Sequence, residues 1–417
     1  MLLTNIRYLL GVHTETKALR GQALAQLPGI EQAYLRIEGT QIVDYGPMSA
    51  LKVYESPGQT HDLSGRYVLP SWCDSHSHLV FAGSREQEFV DKIRGLTYAE
   101  IAQKGGGILN SAQLLQKTPA EVLFQQAWKR LEALKKLGTG ALEIKSGYGL
   151  TPEAEIKMLR VIKRLKQEAN IPIKATFLGA HAFPTAFKDD RRGYIRQIIE
   201  EMLPAIALEG LADYIDVFCE QGFFTPDETM QILKAGRRFG LKAKLHANQL
   251  HNSGGVQVGI QADAVSVDHL ENIGPEEVQL LAQNSTIATL LPSAAFFLCL
   301  PYPPARQLIE AGAAVALATD YNPGSSPSGN MPLLVALSCI QMRMLPEEAI
   351  NAATFNGACA MEVQQEVGSI AVGKRANLIV TKEMPSLAYL PYAFGSNLIE
   401  QVLINGSVYH RELCSLC

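Results

Sequence analysis

Between Tyr67 and about Ala360, short uninterrupted apolar runs alternate with longer stretches whose apolar residues recur every three or four positions. The short runs are YVLPSWCDSHSH, TGALEIKSG, IKATFLGAH, YIDVFCEQG, KAKLHANQ, AVSVDHL, STIATLLPS and AVALATD. Continuous apolar runs of this length suit strands buried on both faces, as in a parallel sheet. The stretches between them carry helix punctuation. TPAEVLFQQAWKRLEALKKLG places Thr118 as an N-cap, Pro119 in the first turn, Glu121 as the capping-box partner and Gly138 as the stop. TPEAEIKMLRVIKRLKQEAN and TPDETMQILKAGRRFG repeat the Thr-Pro opening, and GPEEVQLLAQN and PEEAINAATFNGACAMEV follow similar rules. Eight strands alternating with helices predict a (β/α)8 TIM-like barrel over residues 67–360. An open doubly wound sheet would put a glycine-rich phosphate turn directly after its first strand, and GGGILNS does not stand there.

The flanks follow a different period. AYLRIEGTQIVDYGP near the N-terminus, and AVGKRANLIVTKE and NLIEQVLINGSVYH near the C-terminus, alternate apolar and polar residues between turn signals. Such segments form short antiparallel strands. Residues 1–66 and 361–417 are therefore expected to meet in one small β-domain beside the barrel.

Composition narrows the function classes. Of 417 residues, 47% are hydrophobic and 19% charged, the mix of a folded globular chain. A formal charge of −4 without any basic run argues against binding to nucleic acid or an anionic membrane. No apolar stretch has the length of a membrane span, and the first residues lack a signal-peptide pattern, so a cytoplasmic location is expected. The seven cysteines are scattered and odd in number, which argues against a disulfide framework. Cys414 and Cys417 read as incidental thiols, whereas Cys73 and Cys219 lie beside expected strand ends.

The chemistry collects at those ends. In HSH, side chains at i and i+2 of an extended segment leave one face, so His76 and His78 point into a common space. Taken alone, the pair is better read as two partly exposed loop histidines. Barrel active sites, however, form at the C-terminal ends of the strands. Those ends hold His76 and His78, then Lys145, Ser146 and Tyr148, then His181, Glu220 with Gln221, His246, His269 and Asp320. Five of the nine histidines in the chain fall at these positions. Imidazoles with one carboxylate are the donors of a zinc or iron site.

A histidine pair on strand one, single histidines on strands five and six and an aspartate on strand eight resemble the amidohydrolase superfamily. Finer motifs, HSHLVFAGSREQEF, GGGI, EIKSGYGL, TFLGAHAFP, DVFCEQGFF, KLHANQ, SVDHLE and ATDYNPGSS, resemble its imidazolonepropionase family and run in order from Asp74 to Ser326. The closing GSIAVGKRANLIV is similar as well. That resemblance implies hydrolysis of the ring amide of 4-imidazolone-5-propanoate with one bound Zn2+ or iron ion. It implies His76, His78, His246 and Asp320 as metal ligands, and substrate contacts from Arg85, Tyr148, His181, Gln249, Asn322, Gly324 and Ser325. A homodimer is a common arrangement among such enzymes.

The residue types fit that chemistry. Asp320 can touch a metal and also carry a proton, and His269 stands where it can orient water or stabilise an oxyanion. Arg85 offers a planar fork to a carboxylate, although by itself it is equally a solvated loop charge. Gln249 stands where some family members carry glutamate, and a neutral amide orients but is no base. Glu220 could bridge a second metal, and GGGI is either a lid or a turn cluster. The competing readings are a deaminase of a cytosine- or guanine-like ring on the same barrel and, more remotely, a non-catalytic ligand-binding barrel.

Overall fold

The structure is a computed structural model that describes residues 1–52, 58–96, 100 and 106–412. Its strands form two eight-stranded sheets. The first contains β1 (Leu2–Leu10), β2 (Gly29–Glu38), β3 (Gln41–Pro47), β4 (Thr60–Asp62) and β5 (Tyr67–Pro70). The second is wholly parallel and runs through β6 (Trp72–Asp74), β7 (Thr139–Lys145), β8 (Ile173–Ala180), β9 (Tyr214–Cys219), β10 (Lys242–Ala247), β11 (Ser266–His269), β12 (Ile287–Leu290) and β13 (Val315–Leu317). The chain then returns to the first sheet as β14 (Leu378–Thr381), β15 (Ile399–Ile404) and β16 (Ser407–Arg411).

The parallel strands hydrogen-bond in sequence order, each to the next, with helices in the crossovers. Between β6 and β13 there is no regular ladder. The loops beyond them close the barrel instead: Asp320 N–H donates to the His76 carbonyl and His78 N–H to the Tyr321 carbonyl, both at 2.9 Å. Outside the strands, Leu123, Phe124, Ala127 and Leu131 of helix Ala120–Lys136 are buried, as are Leu159 and Ile162 of Pro152–Glu168. The other sheet has its own core, in which Leu3, Ile6, Leu35 and Ile42 meet Val68, Leu378 and Leu403. The order β16-β15-β14-β5-β1-β2-β3 thus interleaves strands from both ends of the chain.

Two local expectations need correction. The run from Tyr67 to His78 is not one strand. Its first half pairs with β1 and β14 in the outer sheet, and only after Ser71 does the chain enter the barrel as β6. Pro70, which lacks a backbone N–H to continue the ladder, marks the change. Nor does Thr118 cap helix Ala120–Lys136. Its hydroxyl donates to the Leu114 carbonyl at 2.7 Å, and the residue closes the preceding helix Ile108–Lys117. Pro119 takes the N-cap place, and Glu121 accepts instead from Gln125 and Arg164. The same Thr-Pro signal works as expected at Thr151 and, with Glu228 as a reciprocal partner, at Thr225. No helix directly precedes those two threonines to compete for their hydroxyls.

Helix Phe355–Ala360 packs so closely on β6 that a Cβ on Gly357 would lie 2.2 Å from the Cys73 carbonyl oxygen. A backbone atom cannot swing aside, so Gly357→Ala must shift the helix off the strand that leads to His76. We expect a loss of about 1–3 kcal/mol in denaturant unfolding, the usual cost of overpacking. An unchanged midpoint would show that the helix can move freely.

Candidate metal centre

The closing seam of the barrel is also where its donors meet. His76 and His78 leave the backbone just past β6, Asp320 just past β13, and His246 and His269 from the C-terminal ends of β10 and β11. All five residues are at most 2% exposed. Asp320 Oδ1 lies 3.5 Å from His76 Nε2 and 3.4 Å from His78 Nε2, and the Nε2 atoms of His78 and His246 are 3.4 Å apart. Two overlapping triads, His76–His78–Asp320 and His76–His246–His269, have donor atoms mutually within 4.8 Å.

Whether these residues suit a cation can be judged from the far side of each ring. His76 Nδ1 faces Asp268 Oδ2 at 2.6 Å, and His246 Nδ1 faces Asp216 Oδ2 at 3.0 Å. His78 Nδ1 is turned to the Ser146 carbonyl at 3.4 Å. An acceptor behind each ring keeps the proton on Nδ1, so the Nε2 lone pairs project inward. Three lone pairs and a carboxylate then converge in a buried space, and the Nε2 of His76 has no hydrogen-bond partner among the described residues. Such an array repels itself unless a cation or a proton lies between. The donors fit a divalent metal.

Beneath the rings lies a layer that sequence reasoning did not assign. Lys145 Nζ contacts Glu143 at 2.7 Å, Asp216 at 2.8 Å and Asp268 at 3.4 Å. Lys244 pairs with Glu143 and donates to the carbonyls of Ser75 and Ala360. All five of these side chains are fully buried. The signal was present: each charge interrupts a strand otherwise apolar enough to be buried, and a buried charge must be paired.

The rim is built from loops tied down by buried carboxylates. Glu155 accepts from the N–H groups of Gly147, Gly149 and Leu150, fixing the turn that carries Tyr148. The Tyr148 ring stands edge-on to His78 and His181, and His181 stacks on His78 at 5.3 Å. Burial lowers the His181 pKa to about 3, so this ring is neutral. Asn322 donates its NH2 group to the Asp320 carbonyl and Ser325 Oγ, and its oxygen accepts from the N–H groups of Gly324 and Ser325. Its side chain is thereby spent on shaping the loop, while Ser325 Oγ donates to Asp320 Oδ2 at 3.1 Å. Arg85 lies against that loop, since a Cβ on Gly324 would fall 2.2 Å from its Nη1. Its Nε and Nη2 are held by Glu88 Oε2 at 2.9 and 2.5 Å.

Gln249 is buried just beyond β10. Glu220 does not reach the cluster. Its oxygens accept from the N–H groups of Gln221, Leu250 and His251 and from Ser253 Oγ, which joins two rim loops. Cys73 and Cys219 are buried thiols whose pKa values burial pushes up, that of Cys219 to about 11, and both are chemically quiet. Of the GGGI segment, Gly107 N–H donates to Glu88 and opens helix Ile108–Lys117. Gly105, Cys414 and Cys417 lie outside the described residues. Among the described residues no helix is long and apolar enough to cross a membrane.

Comparison with known proteins agrees with this architecture. The family model described as Amidohydrolase family matches residues 67–409. Among solved structures, the 5-methylcytosine deaminase of Klebsiella pneumoniae superposes with a TM-score of 0.74 at 16% identity, covering 99% of this chain and 98% of that one, a likeness of fold. The chain belongs to the amidohydrolase family and is a hydrolase. Two proteins named imidazolonepropionase are far closer in sequence. That of Flavobacterium johnsoniae is 55% identical over 98% of this chain and 99% of its own length, and that of Christiangramia forsetii is 52% identical over the same shares. Within the amidohydrolases, the chain belongs with the imidazolonepropionases.

The metal site should be sensitive to acid. Burial and the Lys145 ammonium oppose a charge on His76, but its contacts with Asp268 and Asp320 outweigh them and raise its pKa. A raised pKa means the ring keeps its second proton to higher pH, and that proton competes with a cation for Nε2. Affinity is therefore complete only above the raised pKa and declines as pH falls through it. Competition with a chelator should show a dissociation constant that begins to rise, as pH is lowered, before the ordinary imidazole pKa of about 6.5 is reached. A flat profile would mean that no ring proton is displaced.

Proposed function

We propose that the protein hydrolyses the ring C–N amide bond of 4-imidazolone-5-propanoate to N-formimidoyl-L-glutamate, a step of histidine degradation. One divalent ion would be held by His76, His78, His246 and Asp320. The observation that carries this reading is the convergence of those four side chains in a chain 55% identical to an imidazolonepropionase over nearly its whole length. The donor set suits zinc and iron, which metal analysis would distinguish. When bound, such an ion supplies Lewis acidity, making water more acidic and an amide carbonyl more electrophilic.

The chain's own groups do the rest. Burial alone would raise the pKa of Asp320, yet a proton on either facing Nε2 atom of His76 and His78, or a bound cation in its place, would hold it well below the usual carboxylate range. It is ionised at neutral pH and can accept the proton of the attacking water, then deliver it to the departing ring nitrogen. His269, held at Nδ1 by Glu271 at 3.3 Å, is placed to steady the oxyanion. Tyr148 and His181 form a wall suited to a flat heterocycle. Arg85 meets the propanoate with its Nη1 side, because Glu88 occupies the Nε edge. A deaminase reading has only the shared fold behind it, at 16% identity. The deciding experiment follows the ultraviolet absorbance of freshly prepared 4-imidazolone-5-propanoate with purified, metal-loaded protein. No loss of absorbance sinks the assignment.

Asp320 and His269 should fail differently. Asp320→Asn cannot carry a proton, so kcat is expected to fall about 10²–10⁴-fold even where metal is retained. His269→Ala should keep its metal and its KM while kcat drops about 10²–10³-fold, the pattern of a contact made in the transition state. If His269→Ala loses its metal, the histidine is a ligand and the triad His76–His246–His269 holds the ion.

Arg85→Lys keeps the charge but not the fork. Loss of a charge-assisted hydrogen bond of about 1.5–3 kcal/mol should lower kcat/KM ten- to a hundredfold, mostly through KM. Unchanged kinetics would return Arg85 to the role of a loop charge paired with Glu88.

A further inference from the structure

The reaction outlined above gives no task to Lys145, yet its ammonium sits at the centre of the site's foundations. The side chain is fully buried, and Nζ is 2.8 Å from Asp216 Oδ2 and 3.4 Å from Asp268 Oδ2. These are the very oxygens that face His246 Nδ1 and His76 Nδ1. A single cation on β7 thus touches both atoms that hold the two rings, one carried by β9 and the other by β11. We infer that Lys145 is a positioning residue for the metal site: by bridging Asp216 and Asp268 it fixes the orientation and the Nδ1–H tautomer of His246 and His76, and so sets their strength as ligands of a divalent cation. The inference rests on the metal-site reading above.

The charge balance gives the physical reason. Glu143, Asp216 and Asp268 share the sealed interior with two ammonium groups, Lys145 and Lys244. Without Lys145, three carboxylates would have one cation among them. Two of them would then be pushed apart, or one would take up a proton and present a donor to the ring instead of an acceptor. Either change frees a ring to rotate or to exchange tautomers, and a ligand that must first be reordered binds a metal more weakly. Lys244 supplies the internal comparison. It is equally buried and equally charged, but its contacts are Glu143 and the carbonyls of Ser75 and Ala360. It forms an ion pair with neither ring-holding carboxylate, and only its longer-range field reaches Asp268.

The test uses full-length protein stripped of metal and reconstituted with zinc or cobalt. Dissociation constants are read by competition with a chelator, independently of turnover, for the wild type, Lys145→Met, Lys145→Gln and Lys244→Met. The two Lys145 variants should bind metal about 10–100-fold more weakly, the usual effect of removing an outer partner of a metal ligand. Their cobalt-bound forms should also show shifted visible absorption. Lys244→Met should lose stability but keep an affinity close to wild type and an unshifted spectrum. Equal losses of affinity in all three variants would mean that the layer acts only as structural charge balance, and the inference falls. Unchanged affinity in Lys145→Gln overturns it too. So does failure of both Lys145 variants to fold with saturating metal, because a positioning role leaves the barrel able to assemble. Wild-type protein that binds metal but fails to hydrolyse the imidazolone would defeat the functional reading while leaving this one standing.

Discussion

An imidazole aimed at a point from the wall of a barrel needs an anchor behind it, and here the anchors are Asp268 for His76 and Asp216 for His246. Each of these hydrogen bonds requires an ionised carboxylate in a fully buried place. Burying such a charge unpaired costs several kcal/mol, which is on the order of the whole stability of a domain. The two lysines and Glu143 follow from that requirement. The lysines supply cations within reach, and Glu143 balances the second ammonium and accepts from Thr176. Barrel interiors are ordinarily filled with branched apolar side chains. This one gives up part of that filling to place ionic pairs below its mouth.

The same constraint explains where the barrel closes and where its backbone departs from ordinary conformations. The seam between β6 and β13 has no regular ladder, so both segments are free to turn their side chains inward. It is held instead by the two backbone bonds at His76 and His78 and by Asp74, which accepts from the N–H and hydroxyl of Thr319. Asp320 at φ 53°, His269 at φ 85° and Leu270 at φ 71° lie in the left-handed region. A non-glycine residue there costs of order 1–3 kcal/mol and persists only where neighbours over-determine it. At Asp320 those neighbours are the His76 carbonyl, Asn322 and Ser325. Strain thus falls on the residue proposed to serve as both ligand and proton carrier.

Much of this could be read from the chain. Strand runs ending in histidine or aspartate mark a barrel mouth because period and position are both local properties. The five histidines and Asp320 that the structure gathers at that mouth could all be named on that ground. What escaped was whatever depends on non-local partners. Pro70 sends one apolar run into two sheets, and only the positions of β1 and β14 show it. Thr118 has the same sequence context as Thr151, but a helix ending one residue earlier claims its hydroxyl. Glu220 stands at a strand end like the donors do, yet the loop after β10 occupies both its oxygens, Oε2 with the N–H groups of Leu250 and His251 and Oε1 with the Ser253 hydroxyl. Asp216, Asp268 and Lys145 were visible as charges in buried strands, but their mutual contacts span three strands and left no spacing to recognise.

Arg85 shows how much of a binding group's worth is settled before any ligand arrives. A free arginine has many rotamers, and ordering it on binding costs about 0.5–1.5 kcal/mol. Here Glu88 grips the Nε edge, and the bare Cα of Gly324 lets the guanidinium lie against the Asn322–Ser325 loop. Glu88 is itself held by the N–H of Gly107 at the start of the next helix. The acid partner weakens the field that an anionic substrate would feel, so the pair is a poor device for long-range attraction. It is a good device for direction, because the remaining N–H groups are already aimed. For an enzyme whose substrate carries its carboxylate on a flexible propanoate arm, a fixed receiving group does more than extra charge would. In the proposed reaction it would hold one end of the molecule still while the ring at the other end meets Asp320.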